Sequence, residues 1–98
     1  MTREKIQQII FDALEMSNHA REENEKIPIN PETALYGNDG HLDSLGLVGF
    51  LIDVEESLQD EGIRISLSDE RAMSQKNSPF RDVPTLIDYI SQLIGDRS

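Results

Sequence analysis

Ser44 stands where a side chain could do chemistry. It follows an acid, Asp43, at the point where the polar loop Gly37-Asn38-Asp39-Gly40-His41 gives way to the apolar run Leu45-Gly46-Leu47-Val48. The pattern places its hydroxyl at the mouth of a helix, exposed and open to modification. No other serine in the chain has this setting. Three kinds of chemistry are conceivable there: metal binding, hydrolysis, and covalent modification by another enzyme.

Metal binding needs acids at set intervals. Asn38, Asp39, His41 and Asp43 crowd the loop, which invites a calcium reading. With Gly40 at the sixth position of a calcium loop, however, Leu35 takes the first and Gly46 the twelfth, where acids are required. The loop reads as a polar turn, and no metal is expected. Hydrolysis needs a histidine that reaches the serine and a third group that orients the histidine. His41 lies in the loop with no evident buried orienter, and His19 reads as a surface residue near the end of the first helix. The chain has no G-x-S-x-G elbow. No catalytic residue is assigned, and the chain is expected not to be an enzyme. It also has no cysteine, which excludes disulfides, thiolate metal sites and a cysteine nucleophile. Any thiol chemistry here must take its sulfur from a cofactor.

The elements that position Ser44 follow from apolar spacing. Ile6, Ile9, Ile10, Ala13, Leu14 and Met16 recur at helical intervals and predict a first helix from Thr2 to about Ala20. The mixed-charge stretch Arg21-Glu22-Glu23-Asn24-Glu25-Lys26 reads as a solvated helix end or loop. From Ile27 to His41 the chain carries Pro28, Pro31, Gly37 and Gly40, the signature of a long loop. Loops of this length are uncommon in small domains unless pinned or functional, and Ile27, Ile29, Leu35 and Tyr36 are the candidate pins.

A second helix is predicted from Ser44 to about Asp60, with Asp43 as its N-cap. Leu47, Leu51, Val54 and Leu58 form its apolar stripe, widened by Val48, Phe50 and Ile52. Phe50, Leu51 and Val54 read as plain core. Gly46 and Gly49 each weaken this helix by about 1 kcal/mol relative to Ala, so close approach of another chain or ligand is one expected compensation. Gly62 closes the helix. Ile63-Arg64-Ile65-Ser66-Leu67 alternates like a strand but has no partner in view, and reads as an extended segment with apolar residues turned inward. A short helix is predicted over residues 78–83, with Ser78 as cap, Pro79 in its first turn and Pro84 as its stop. Thr85, with Asp88 three residues on, caps a last helix bearing Leu86, Ile87, Tyr89, Ile90, Leu93 and Ile94, closed by Gly95.

The fold class is therefore all-α: a four-helix bundle of three main helices and one short one, with a long first loop. Its 98 residues form a single domain over 1–98, large enough for a modest core. Nine basic and 19 acidic residues give a net charge of −10. Nucleic acid and anionic membrane surfaces both need a basic face and are not expected as partners. Basic protein surfaces are. The amino terminus has no signal-peptide h-region and no run is long enough to span a membrane, so a cytoplasmic location is expected.

The motif Leu42-Asp43-Ser44-Leu45, after a glycine-bearing loop and at the head of a helix ending in acids, resembles the attachment motif of acyl carrier proteins. Leu35-Tyr36-Gly37 before it resembles the family too, as do Asp53-Val54-Glu55-Glu56, Ile63-Arg64-Ile65 and Leu86-Ile87-Asp88-Tyr89-Ile90 after it, in order and at sensible distances. The resemblance covers nearly the whole chain. It implies the acyl-carrier bundle, with Ser44 accepting 4′-phosphopantetheine from coenzyme A through a phosphopantetheinyl transferase; the chain is expected to be a monomer. The arm supplies the thiol that this chain lacks and holds acyl groups as thioesters. Asp43 and Leu45 flank the attachment point. The resemblance makes the second helix the docking face, with Leu45, Val48, Gly49, Ile52, Glu55 and Glu56 meeting acyl-transferring or adenylating enzymes of basic surface.

The long first loop and the segment from Arg71 to Phe80 differ from the shortest forms of the family, and a further departure lies in the second helix. Fatty-acid carriers commonly place acids in the first two turns of this helix, where this chain has Gly46 and Gly49. A specialised, free-standing carrier in fatty-acid-like, lipid or secondary-metabolite synthesis is the expectation. An aminoacyl, peptidyl or aryl carrier loaded by an adenylating enzyme is the alternative, as is an unmodified helical interaction module.

Overall fold

The computed structural model describes residues 2–36, 40–67 and 79–97, except for the side chains of residues 44, 96 and 97. Within these residues the chain forms three α-helices: α1 (Arg3–His19), α2 (Ser44–Asp60) and α3 (Val83–Arg97). A single 3-10 turn, Glu23–Glu25, follows α1. A long loop joins α1 to α2, and the described residues contain isolated β-bridges but no strand. No described helix is long and apolar enough to cross a membrane.

Helix α1 begins where Thr2 Oγ1 accepts a hydrogen bond from the Lys5 amide at 3.1 Å, satisfying a first-turn donor that has no intrahelical acceptor. Its inner face is Ile6, Ile9, Ile10, Ala13 and Leu14, all buried. The expectation that Met16 joins this face fails. At about 3.6 residues per turn, Met16 lies roughly a quarter-turn from the centre of the buried stripe, and it is 61 % exposed. Helix α1 packs against both α2 and α3. From α2 come Leu47, Phe50, Leu51, Val54 and Leu58; from α3 come Val83, Leu86, Ile87 and Ile90. All are buried in one cluster with the face of α1. Tyr89 stands edge-on to the buried Phe80, ring centroids 5.9 Å apart.

The first loop is pinned as its apolar residues predict: Ile27 and Leu35 are buried, and Ile29 and Tyr36 pack against the core. Polar residues do as much. The buried Asn18 takes both backbone groups of Ile27 (Nδ2 to the carbonyl, 3.0 Å; Oδ1 from the amide, 2.8 Å). Thr33 Oγ1 donates to the Pro28 carbonyl at 2.6 Å and accepts from the Asn30 amide at 3.0 Å.

The start of α3 corrects the sequence reading. Ser78 lies outside the described residues, and 79–82 are not helical. They form a turn that pairs with the first loop. Leu35 N–H donates to the Arg81 carbonyl (2.8 Å), Tyr36 N–H to Phe80 (3.1 Å) and Val83 N–H to Thr33 (3.0 Å), around an antiparallel bridge between Ala34 and Asp82. Asp82, not Thr85, caps α3, its Oδ1 accepting from the Thr85 amide at 2.9 Å. Pro84 does not stop a helix but lies in the first turn of α3, where its missing N–H has no intrahelical acceptor to lose. Gly95 does not close α3, which continues to Arg97.

Candidate functional site

Ser44 is the first residue of α2. Its helix is started by Asp43, whose Oδ1 accepts from the Gly46 amide at 2.7 Å while its carbonyl takes the Leu47 amide at 2.8 Å. The helix ends as Gly62 predicts. With φ at +82°, Gly62 occupies the left-handed region that an L side chain rarely adopts. Gly62 N–H then donates to Gln59 and Ile63 N–H to Leu58, at 2.9 Å each, which together form a Schellman motif. The expected exposure of the Ser44 hydroxyl concerns a side chain outside the described ones, as do the loop residues Asn38 and Asp39.

The loop in front of Ser44 closes on itself. Leu42 N–H donates to the Leu35 carbonyl at 2.8 Å, and Tyr36 and Leu42 form a parallel bridge. Gly40 makes this closure possible, because a Cβ there would lie 2.6 Å from the Leu35 oxygen and 2.7 Å from the Tyr36 carbonyl carbon. Leu42 is buried beneath the turn. Arg21 ties the end of α1 to this turn, its guanidinium donating to the carbonyls of Glu25 (3.3 Å) and His41 (3.4 Å). His41 and His19 are both exposed. Among the described residues no group of three His, Cys, Asp or Glu side chains is placed to hold a metal ion.

The residues expected to meet partners divide into two sets. Leu45 is 85 % exposed and Ile52 is 44 % exposed, so Ile52 belongs to the outer surface and does not widen the core stripe. Val48 is half-buried, and Gly49 and Glu56 are exposed. Residues 45, 48, 49, 52 and 56 follow one another at helical three- and four-residue steps, and so share one outward face of α2. Nothing lies within 4 Å of a Cβ placed on Gly49. Close packing among the described residues therefore does not explain that glycine. Gly46 differs: its Cβ would sit 3.1 Å from the Asp43 Oδ1 that caps the helix.

Glu55 is in the other set. Its Oε1 accepts a short hydrogen bond from the Leu67 amide, fastening the extended segment 63–67 along α2. Leu67 is buried there, with Ile63 and Ile65 against the core. Glu55 thus holds its own chain, whereas Glu56, one residue on, is turned outward.

No family model, curated protein or solved structure matches the chain.

The charge near the site is uneven. Lys5 pairs with Glu61 (3.1 Å) and Arg3 with Asp88 (2.7 Å), at the other end of α1 from Arg21. Among the described residues the Arg21 guanidinium is bonded to carbonyls and to no carboxylate, which leaves a cation beside the turn that leads into α2.

Proposed function

We propose that this chain is an acyl carrier protein in which Ser44 is the attachment point of 4′-phosphopantetheine. The observation that carries the reading is the placement of Asp43-Ser44-Leu45: an acid that caps α2, a serine as its first helical residue, and a leucine that is 85 % exposed. The long pinned first loop and the packing of α1 on both other helices support an acyl-carrier-type bundle.

The residues present fit a phosphodiester at this end of α2. A helix N-terminus carries partial positive charge and amides without intrahelical acceptors, and it favours phosphate. Arg21 adds a cation to the turn in front of it, offsetting the carboxylate of Asp43. The arm, once attached, supplies the thiol that holds cargo as a thioester. The protein's part is to present the serine on a fixed helix end and to offer the face of Leu45, Val48, Gly49, Ile52 and Glu56 to partner enzymes. Exposed apolar residues flanked by acids suit basic partner surfaces, which associate fast and release readily.

Intact mass spectrometry tests the proposal. Incubation with coenzyme A, magnesium and a permissive phosphopantetheinyl transferase is expected to add one phosphopantetheine mass, and Ser44→Ala to abolish the addition. An unchanged mass with several broad transferases would sink it and favour an unmodified interaction module. The native intact mass then reads the cargo, acyl or aminoacyl.

A further inference from the structure

Three large apolar side chains are exposed among the described residues: Leu45, Ile52 and Met16. The first two lie on the face of α2 already assigned. Met16 does not. It projects from α1 into an open groove between α1 and α2, and Asp12 lines that wall with it. Asp53, Glu56 and Asp60 line the opposite wall.

The carboxylates of this groove are uncompensated. Asp12 accepts only from Gln8 Nε2, at 2.9 Å. Among the described residues, Asp53, Glu56 and Asp60 have no hydrogen-bond or ion-pair partner for their side chains. Other acids are matched: Asp88 with Arg3, Glu61 with Lys5, Glu23 with Lys26. Like charges facing one another across a groove repel, and an incoming cation relieves that repulsion. The carboxylates are too widely spread to enclose a metal ion. Their spread suits several basic side chains carried on one scaffold.

We infer that the groove between α1 and α2 seats a basic helix of a second protein, which rests an apolar residue on Met16 and sets lysines or arginines between the acids of the two walls. A furrow between two packed helices accepts the side-chain ridge of a third. The interface thus extends from α2 onto α1, to residues remote in sequence from Ser44. It does not require Ser44 to be modified, and its test uses the unmodified chain.

The probe is a synthetic helical peptide with a leucine–alanine spine flanked by lysines, together with the same spine carrying glutamines instead. Each is titrated into the isotopically labelled full chain at physiological ionic strength and followed by NMR. The lysine peptide is expected to shift the Met16 methyl and the amides of Asp12, Asp53 and Glu56. The pair Asp12→Asn with Met16→Ala is expected to weaken binding about fivefold, while Glu22→Gln with Glu4→Gln, which removes more charge elsewhere on the surface, changes it by less than about twofold. All four positions are exposed, and the spectra report directly that each variant is folded. Equal weakening by both pairs, shifts confined to α2, or equal binding of the glutamine peptide overturns the inference.

Discussion

The side-chain amide of Asn18 holds the backbone of Ile27 by both its polar groups, at 3.0 and 2.8 Å. One residue near the end of α1 thereby does for the first loop what a neighbouring strand does in a sheet. It also explains how a buried apolar pin can be reached by a polar chain segment: Ile27 goes into the core only because its own N–H and C=O are satisfied on the way.

Asn18→Ala is therefore expected to cost about 2 kcal/mol, since it leaves two buried backbone groups without partners. Urea denaturation reads this as a lower midpoint at unchanged slope. Asn18→Asp keeps the acceptor but loses the donor, and is expected to destabilise as well. A midpoint within error of the parent for Asn18→Ala would show that the loop is held by its apolar pins alone.

The two glycines of α2 are expected to behave in opposite ways. Gly49→Ala meets open space and gains helix propensity, so it stabilises the fold by about 1 kcal/mol. Gly46→Ala brings a Cβ to 3.1 Å from the capping oxygen of Asp43, and its gain is smaller or reversed. Thermal unfolding of the two variants ranks them. If Gly46→Ala proves the more stable, the cap geometry at Asp43 is not what constrains that position.

The capping carboxylate of α3 makes stability depend on pH. Burial pushes the Asp82 carboxyl up, but the hydrogen bonds from the Thr85 hydroxyl and amide, with the Arg81 guanidinium, outweigh it and leave it below its ordinary value. A folded-state value below the unfolded one favours the native state once pH exceeds the unfolded value. The contribution is lost as pH falls through the folded one. Asp82→Ala is expected to cost about 1 kcal/mol at neutral pH. The gap between parent and variant should close on acidification below pH of about 4. A gap that stays constant down to the acid limit would assign the cost to packing and not to the charged cap.

Local signals carried the reading of α2 almost to the residue. Asp43 and Gly62 act within one turn of the helix they bound, so their effect is visible in the residues beside them. The start of α3 is not legible locally, for the complementary reason. Residues 79–82 look helical by Pro79 and their spacing, but what shapes them is pairing with the first loop, far away in the chain. Pro84 has the look of a stop, although the first turn of a helix tolerates it. Glu55 illustrates the same limit at the candidate site. It shares its acidity with Glu56, and only the position of Leu67 separates the residue that fastens the chain from the one that faces outward. Asn18 carried no signal beyond being a polar residue near a helix end.

The pairing of residues 33–36 with 80–83 has a consequence for the order of assembly. Its paired residues lie 44 to 50 positions apart, so chain entropy must be lost before these hydrogen bonds can form. A nascent chain that has not yet reached Phe80 can nucleate α1 and α2 but lacks the hydrogen bonds that brace Leu35 and Tyr36 in the loop in front of Asp43. The turn leading to Ser44 is finished by the carboxy-terminal part of the molecule, and a chain cut short before that part retains the motif without the bracing that orients it.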